Sequence, residues 1–289
     1  MKQSPIILIG MHRSGTSLVS RVLEATGLFL GQNKDENNEA IYFIQFNKWL
    51  LSQAGTSWAN PYGFYNILQD TKARRLLSDF LSRAITSPSR IAFLGWQAGL
   101  STKSLEEISQ HWGWKDPRTT LTLPLWLDVF PQAKVIHIYR HGVDVANSLR
   151  KRSIKQIEDI NRIHYFKRYV IFWLFSGYPI WNDRVYLDSV QLRSLEQGFK
   201  LWEYYIEQGF SYSDMLGDRI YHIKYEDILD DPITHMKALI EFCNITVSDS
   251  KLEDITSMIN AKRGFAYLQS DELIQFAESV QPRLAKYGY

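Results

Sequence analysis

Three short stretches carry most of the groups in this sequence that could do chemistry. They are Arg13-Ser-Gly-Thr-Ser17, Lys115-Asp-Pro-Arg118, and Arg140 with Ser148 seven residues beyond it. Guanidinium groups beside hydroxyls suit oxyanions, because an Arg binds phosphate bidentately and a Ser adds one further donor. In the first stretch Ser14, Thr16 and Ser17 stand where a helix begins, so unpaired backbone N–H groups and the helix dipole add partial positive charge. Gly10 and Gly15 fit the phosphate-loop spacing G-x-x-x-x-G-K-[ST], but Thr16 occupies the lysine slot and a cation appears earlier, at Arg13. A nucleotide triphosphatase also needs a strand ending in Asp to help hold magnesium, whereas the run Lys134–Tyr139 ends in Arg140. The loop is read as gripping a phosphate without the usual metal apparatus. The rival readings are a kinase or other nucleotide phosphotransferase using the same loop, and a non-catalytic nucleotide-binding module.

The elements that must position these groups are legible around them. Ile6 to Ile9 form an unalternating apolar run, as expected of a strand buried on both faces, and a helical pattern follows from Thr16. Trp112 to Lys115 suggests a second, short strand, interrupted by Asp116-Pro117 before a helix from about Thr119. Ala133–Arg140 is a third strand, His141-Gly142 a turn, and Val143–Arg150 a helix; Asp218–Leu229 gives a strand and then a turn. Ligands of parallel sheets bind at the carboxyl ends of strands, which would set the Lys115 corner beside the first loop. Asn38–Leu51 is helical, with Glu39 at its N-terminal end, and Trp58 and Tyr62 are candidate walls for a flat acceptor. A long helix is expected over Ser189–Gly209, another after Asp231-Pro232, and helix to about Val280.

Composition fits one α/β domain over residues 1–289. The net charge of +2 gives no argument for nucleic acid. The lone Cys243 lies in an apolar helical pattern and reads as core. No secretory leader pattern precedes the first strand, so a cytoplasmic location is expected. Residues 150–185 turn basic and then aromatic, an insertion or lid that would shape the substrate site and suit an anionic membrane surface.

Gly10-Met-His-Arg-Ser-Gly-Thr-Ser17, Trp112-Gly-Trp-Lys-Asp-Pro-Arg118, Val135 to Leu149 and Lys224-Tyr-Glu-Asp227 together resemble a bacterial-type sulfotransferase that uses 3′-phosphoadenosine-5′-phosphosulfate. The resemblance implies a P-loop-like parallel β-sheet flanked by helices on both faces, carrying the helical and aromatic insertion. It implies that Arg13, Ser14, Gly15, Thr16 and Ser17 hold the 5′-phosphosulfate, that Arg140 and Ser148 hold the 3′-phosphate, and that no metal is required. Lys262-Arg-Gly264 is a further candidate for reaching the nucleotide. The acceptor would be a hydroxyl, or secondarily an amine, of a glycan, glycolipid or small metabolite.

Sulfonate transfer builds negative charge on the bridging oxygen of the leaving group, so cations must meet it. Arg13 and Lys115 are the candidates. For the base, cytosolic sulfotransferases place a His two residues after a Lys, where this chain has Pro117. Tyrosyl-protein and glycan sulfotransferases use a carboxylate after the first helix, a place filled here by Glu39, with Glu36, Asp35 and His12 as alternatives.

Overall fold

The structure, a computed structural model, describes residues 2–174, 189–257, 259 and 264–289, and for 159–174 the backbone alone. They form two compact units, one of residues up to His141 with Glu203–Ala266, the other of Gly142–Trp202 with Tyr267–Tyr289.

The first unit is built on a four-stranded parallel sheet. Its strands are β1 (Ile6–Ile9), β2 (Gly113–Lys115), β3 (Lys134–Tyr139) and β4 (Ile220–Lys224), in the order β2-β1-β3-β4. Every residue of β1 is buried, as an inner strand covered on both faces requires. Successive side chains alternate between the faces. Ile6, Leu8, Ile136 and Ile138 pack with α1 (Thr16–Ala25) and the helix Pro232–Phe242 on one side. On the other, Trp114, in register with Ile7, stacks on Phe43 of α2 (Ile41–Ser52) at 3.9 Å and meets Trp126 of the helix Thr119–Val129. Helices therefore cover both faces, and the fold is α/β.

Register decides what reaches the site. Leu8 pairs with Lys115, so the last residue of β2 lies level with the penultimate residue of β1 and on the α1 face. Cys243 caps the end of the helix Pro232–Phe242 and is 2% exposed, and burial pushes its thiol up to about 12, which suits a core residue and not a nucleophile.

In the second unit the helix Gly142–Leu174 runs on through the basic stretch that the sequence set apart from it. Helical periodicity survives there because charged residues on an exposed face cost a helix little. Arg150 pairs with Glu272 at 2.6 Å on the surface, and Gly198 lets the helix Leu195–Ser211 approach the backbone of Ala146 closely. The expected Ser189–Gly209 helix is a 3-10 turn at Val190–Arg193 followed by that helix. Residues 175–188, which include the C-terminal part of the expected 150–185 insertion, and Lys262 and Arg263 lie outside the described residues. Among those described, no helix is long and apolar enough to cross a membrane.

Candidate active site

β1 runs into the loop Gly10–Gly15, whose backbone only certain residues tolerate. Gly10 has φ 140°, and a Cβ there would lie 2.1 Å from the carbonyl oxygen of Ile138. Gly15 has φ 90°, and a Cβ would strike the Tyr225 ring at 2.1 Å. Arg13 itself takes a left-handed φ of 74°, an unfavourable conformation for an arginine, of the kind that concentrates at ligand-binding loops. Thr120 Oγ1 accepts from the Gly10 N–H at 2.9 Å and so ties the loop to the helix Thr119–Val129.

α1 begins with no side-chain cap and no acidic residue in its first turn. Its first N–H groups and positive dipole end are left for an outside anion. Ser14 is fully buried, and its Oγ has no hydrogen-bond partner among the described residues. Such a hydroxyl costs about 1–3 kcal/mol when left unpaired. Ser14 and the uncapped helix start together form a cradle that fits an oxyanion.

The second corner is the reverse. Lys115 Nζ donates to Ser17 Oγ at 3.2 Å, to the carbonyl of Asn37 at 2.6 Å and to Glu39 Oε1 at 3.0 Å, which uses all three of its protons. Glu39 Oε2 accepts from Arg118 Nη1 at 3.2 Å, and the same nitrogen donates to Asp116 Oδ1 at 2.8 Å. Two carboxylates and two cations thus sum to zero charge in a buried cluster, with Glu39 5%, Lys115 1% and Asp116 0% exposed. Burial raises the Glu39 carboxyl above its ordinary value and the Asp116 charge adds to the rise, while Lys115 and Arg118 oppose it.

Glu39 is not in the first turn of a helix as the sequence suggested, because α2 starts at Ile41. It lies in the preceding loop, held by Asp35, whose Oδ1 accepts the backbone N–H groups of Asn37 and Glu39 at 2.9 and 2.8 Å. Asp35 therefore serves the loop's backbone, and Glu36 is exposed. His12 is buried with its ring 4.4 Å from Trp58. Trp58 is itself 8% exposed, so it backs His12 and offers little wall to an acceptor, whereas Tyr62 is exposed and packs edge-on against Tyr204.

Arg140 directly follows β3, with its guanidinium 5.0 Å above the Tyr225 ring, the same ring that abuts Gly15. Glu226 Oε1 accepts the His141 N–H at 3.0 Å. The Lys-Tyr-Glu-Asp stretch after β4 thus braces both the phosphate loop and the Arg140 turn. Ser148 lies in the second unit, on the helix Gly142–Leu174.

Sequence reasoning placed Arg118 in the corner without a function and missed Asn47. Asn47, fully buried on α2, donates to Asp116 Oδ2 at 2.8 Å and Thr119 Oγ1 at 2.9 Å, and accepts from Thr122 Oγ1 and Trp126 Nε1. A polar residue inside the apolar pattern of that helix was its one signal.

Comparison with known proteins bears on this arrangement. A sulfotransferase domain from the curacin biosynthetic pathway superposes with a TM-score of 0.50 at 14% identity, covering 97% of this chain and 99% of that one. The sulfotransferase domain of the olefin synthase of Synechococcus PCC 7002 gives 0.49 at 17%, covering 97% and 95%. STF1 from Mycobacterium tuberculosis H37Rv gives 0.45 at 13%, covering 90% and 72%. At 14% identity the first of these likenesses speaks for the fold alone. No curated protein sequence matches the chain. The sequence model of the sulfotransferase family matches residues 5–249, a span holding the phosphate loop, the Lys115 corner, Arg140 and the Lys-Tyr-Glu-Asp stretch, and the chain belongs to that family.

Proposed function

We propose that the protein transfers a sulfonate group from 3′-phosphoadenosine-5′-phosphosulfate to a hydroxyl, less readily an amine, of a glycan, glycolipid or small metabolite. The observation that carries the donor reading is the buried, unpartnered Ser14 hydroxyl at the uncapped start of α1, in a loop that has an Arg and no lysine. When bound, the donor supplies an SO3 group whose S–O bond to phosphate breaks as the acceptor oxygen bonds to sulfur, the electron pair staying on the phosphate oxygen. Arg13 to Ser17 hold the 5′-phosphosulfate through the loop's N–H groups, hydroxyls and guanidinium. Arg140, steadied by Tyr225, serves the 3′-phosphate, and Ser148 is assigned there by sequence resemblance alone.

Lys115 meets the charge on the leaving oxygen together with Arg13, a role worth on the order of 3 kcal/mol for one such donor. Since its three protons are all in use, Lys115 must exchange one partner to do so. Glu39 accepts the proton of the acceptor hydroxyl; its position beside Lys115 and its raised carboxyl favour it over Asp35, Glu36 and His12.

Calorimetric titration with adenosine 3′,5′-bisphosphate in the presence of a chelator, followed by transfer from labelled donor to a panel of hydroxyl acceptors, tests the reading. Metal-independent binding and label transfer are expected. Tight binding of magnesium-ATP with none of the bisphosphate would overturn it in favour of phosphoryl transfer. Binding without transfer or donor hydrolysis would leave a non-catalytic module.

A further inference from the structure

The geometry points to Arg118 as the positioning residue of the acceptor side: it holds Glu39 Oε2, leaving Oε1 as the oxygen that takes the acceptor proton once Lys115 turns to the donor. This rests on the reading of Glu39 as base. Oε1 is held by Lys115 and Oε2 by Arg118, so the carboxylate sits between two cations with different duties. Lys115 is a flexible ammonium bonded to Ser17 on α1, beside the cradle it is to serve. Arg118 is anchored from behind. Asp116 takes both its backbone N–H, at 3.0 Å, and its Nη1, and Asp116 is itself fixed by the saturated amide of Asn47. When Lys115 leaves, the carboxylate therefore keeps one rigid partner and does not rotate away.

Charge gives Arg118 a second duty. The groups facing Glu39 are Lys115 from β2, Asp116 and Arg118 from the turn after it, Tyr205 from the helix Leu195–Ser211, and Asp35, which binds the backbone N–H of Glu39. With Lys115 engaged elsewhere, Glu39 and Asp116 share the single cation Arg118. Lacking even that cation, Glu39, buried beside the Asp116 charge, would hold a proton, and a protonated Glu39 is no base. Arg118 thereby keeps Glu39 ionised at neutral pH, and Asp116, whose charge opposes ionisation, keeps it basic.

The dependence of kcat on pH at saturating donor, in the wild type and in E39Q, R118Q, R118K and D116N, separates these roles from structural support. E39Q should lose the acidic limb with the activity. R118Q should move that limb up by about one pH unit or more, with much of the rate recovered at high pH, because a cation beside the carboxylate is gone. D116N should move it down, and R118K should keep the wild-type limb with a lower plateau. Binding of adenosine 3′,5′-bisphosphate should stay within about twofold throughout, since no loop residue is altered. A uniform loss in R118Q with an unmoved limb would overturn the role of Arg118 while leaving Glu39 as base. An acidic limb that survives in E39Q would overturn both. Should R118Q fail to fold, a D116N limb that stays or rises would refute the inference alone.

Discussion

The phosphate loop and the Lys115 corner end neighbouring strands of one sheet, yet they handle polar groups in opposite ways. The loop keeps donors in reserve, with a buried Ser14 hydroxyl and a helix start that no side chain caps. The corner spends its charges on itself, with Glu39 between Lys115 and Arg118, Asp116 paired with Arg118, and every proton of Lys115 engaged. A site that receives a multiply charged ligand gains from pre-formed, unpaired donors, because binding then costs no internal bond. A site that moves protons and charge must keep its groups neutralised until the ligand arrives, since an uncompensated buried charge costs several kcal/mol. On the proposed reading, the loop is the half that binds and the corner the half that reacts.

That contrast can be broken at several points. Lys115→Ala removes one partner of a buried pair and should destabilise the fold by about 3–5 kcal/mol. It should also cut turnover about a hundredfold or more as the leaving-group cation is lost, measured by thermal melting and by label transfer. If Lys115→Ala melts like the wild type, the corner is not the self-compensating cluster described. Gly15→Ala adds a Cβ at φ 90° against the Tyr225 ring and should weaken bisphosphate binding by about 1–3 kcal/mol, read by calorimetry.

Ser14→Ala is the most diagnostic, because its two effects have opposite signs. Losing an unpaired buried hydroxyl should leave the unliganded protein as stable or slightly more so, while bisphosphate affinity falls about tenfold for one lost hydrogen bond. A drop in both would mean the hydroxyl already has work in the unliganded loop.

Acid stability gives the smallest and sharpest separation. His137 on β3 faces His222 on β4 with the two Nδ1 atoms 2.8 Å apart, and burial with the neighbouring imidazole lowers it to about 3. A base with a depressed folded value contributes stability above its unfolded value, about 6.5, and loses it as pH falls towards 3, with a slope of at most about 1.4 kcal/mol per pH unit. Glu39 has the opposite sign: with its carboxyl raised, the folded state binds the proton more readily, so acid does not remove stability through it. Melting temperature should therefore fall between about pH 6 and 4, and His137→Asn should flatten the fall. An unchanged slope would assign acid lability elsewhere.

Much of the donor side was legible in the chain because it is contiguous. Strand, loop and helix succeed one another within Ile6–Ala25, and the Gly10 and Gly15 conformations, with the missing cap of α1, follow from residues a few positions apart. Arg140 was legible for the same reason, as the residue that directly follows a strand. The reactive side was legible only as a set of residues. Lys115, Glu39, Asp35 and Arg118 could all be named as chemical groups, but nothing in their spacing says that Asp35 would bind backbone or that Arg118 would bridge two carboxylates. Nor does it say that Tyr225 would serve Gly15 and Arg140 at once.

The sequence by itself determined the parallel α/β scaffold, the strand–loop–helix at its start and the absence of a loop lysine, since local backbone preferences and hydrophobic pattern are properties of short segments. Only the tertiary structure decided who pairs with whom. The pairing of Leu8 with Lys115 sets a lysine on the α1 face, and the loop before α2 brings Glu39 to it from 76 residues away. Long-range register and burial fix those distances, and with them the charge that each group carries.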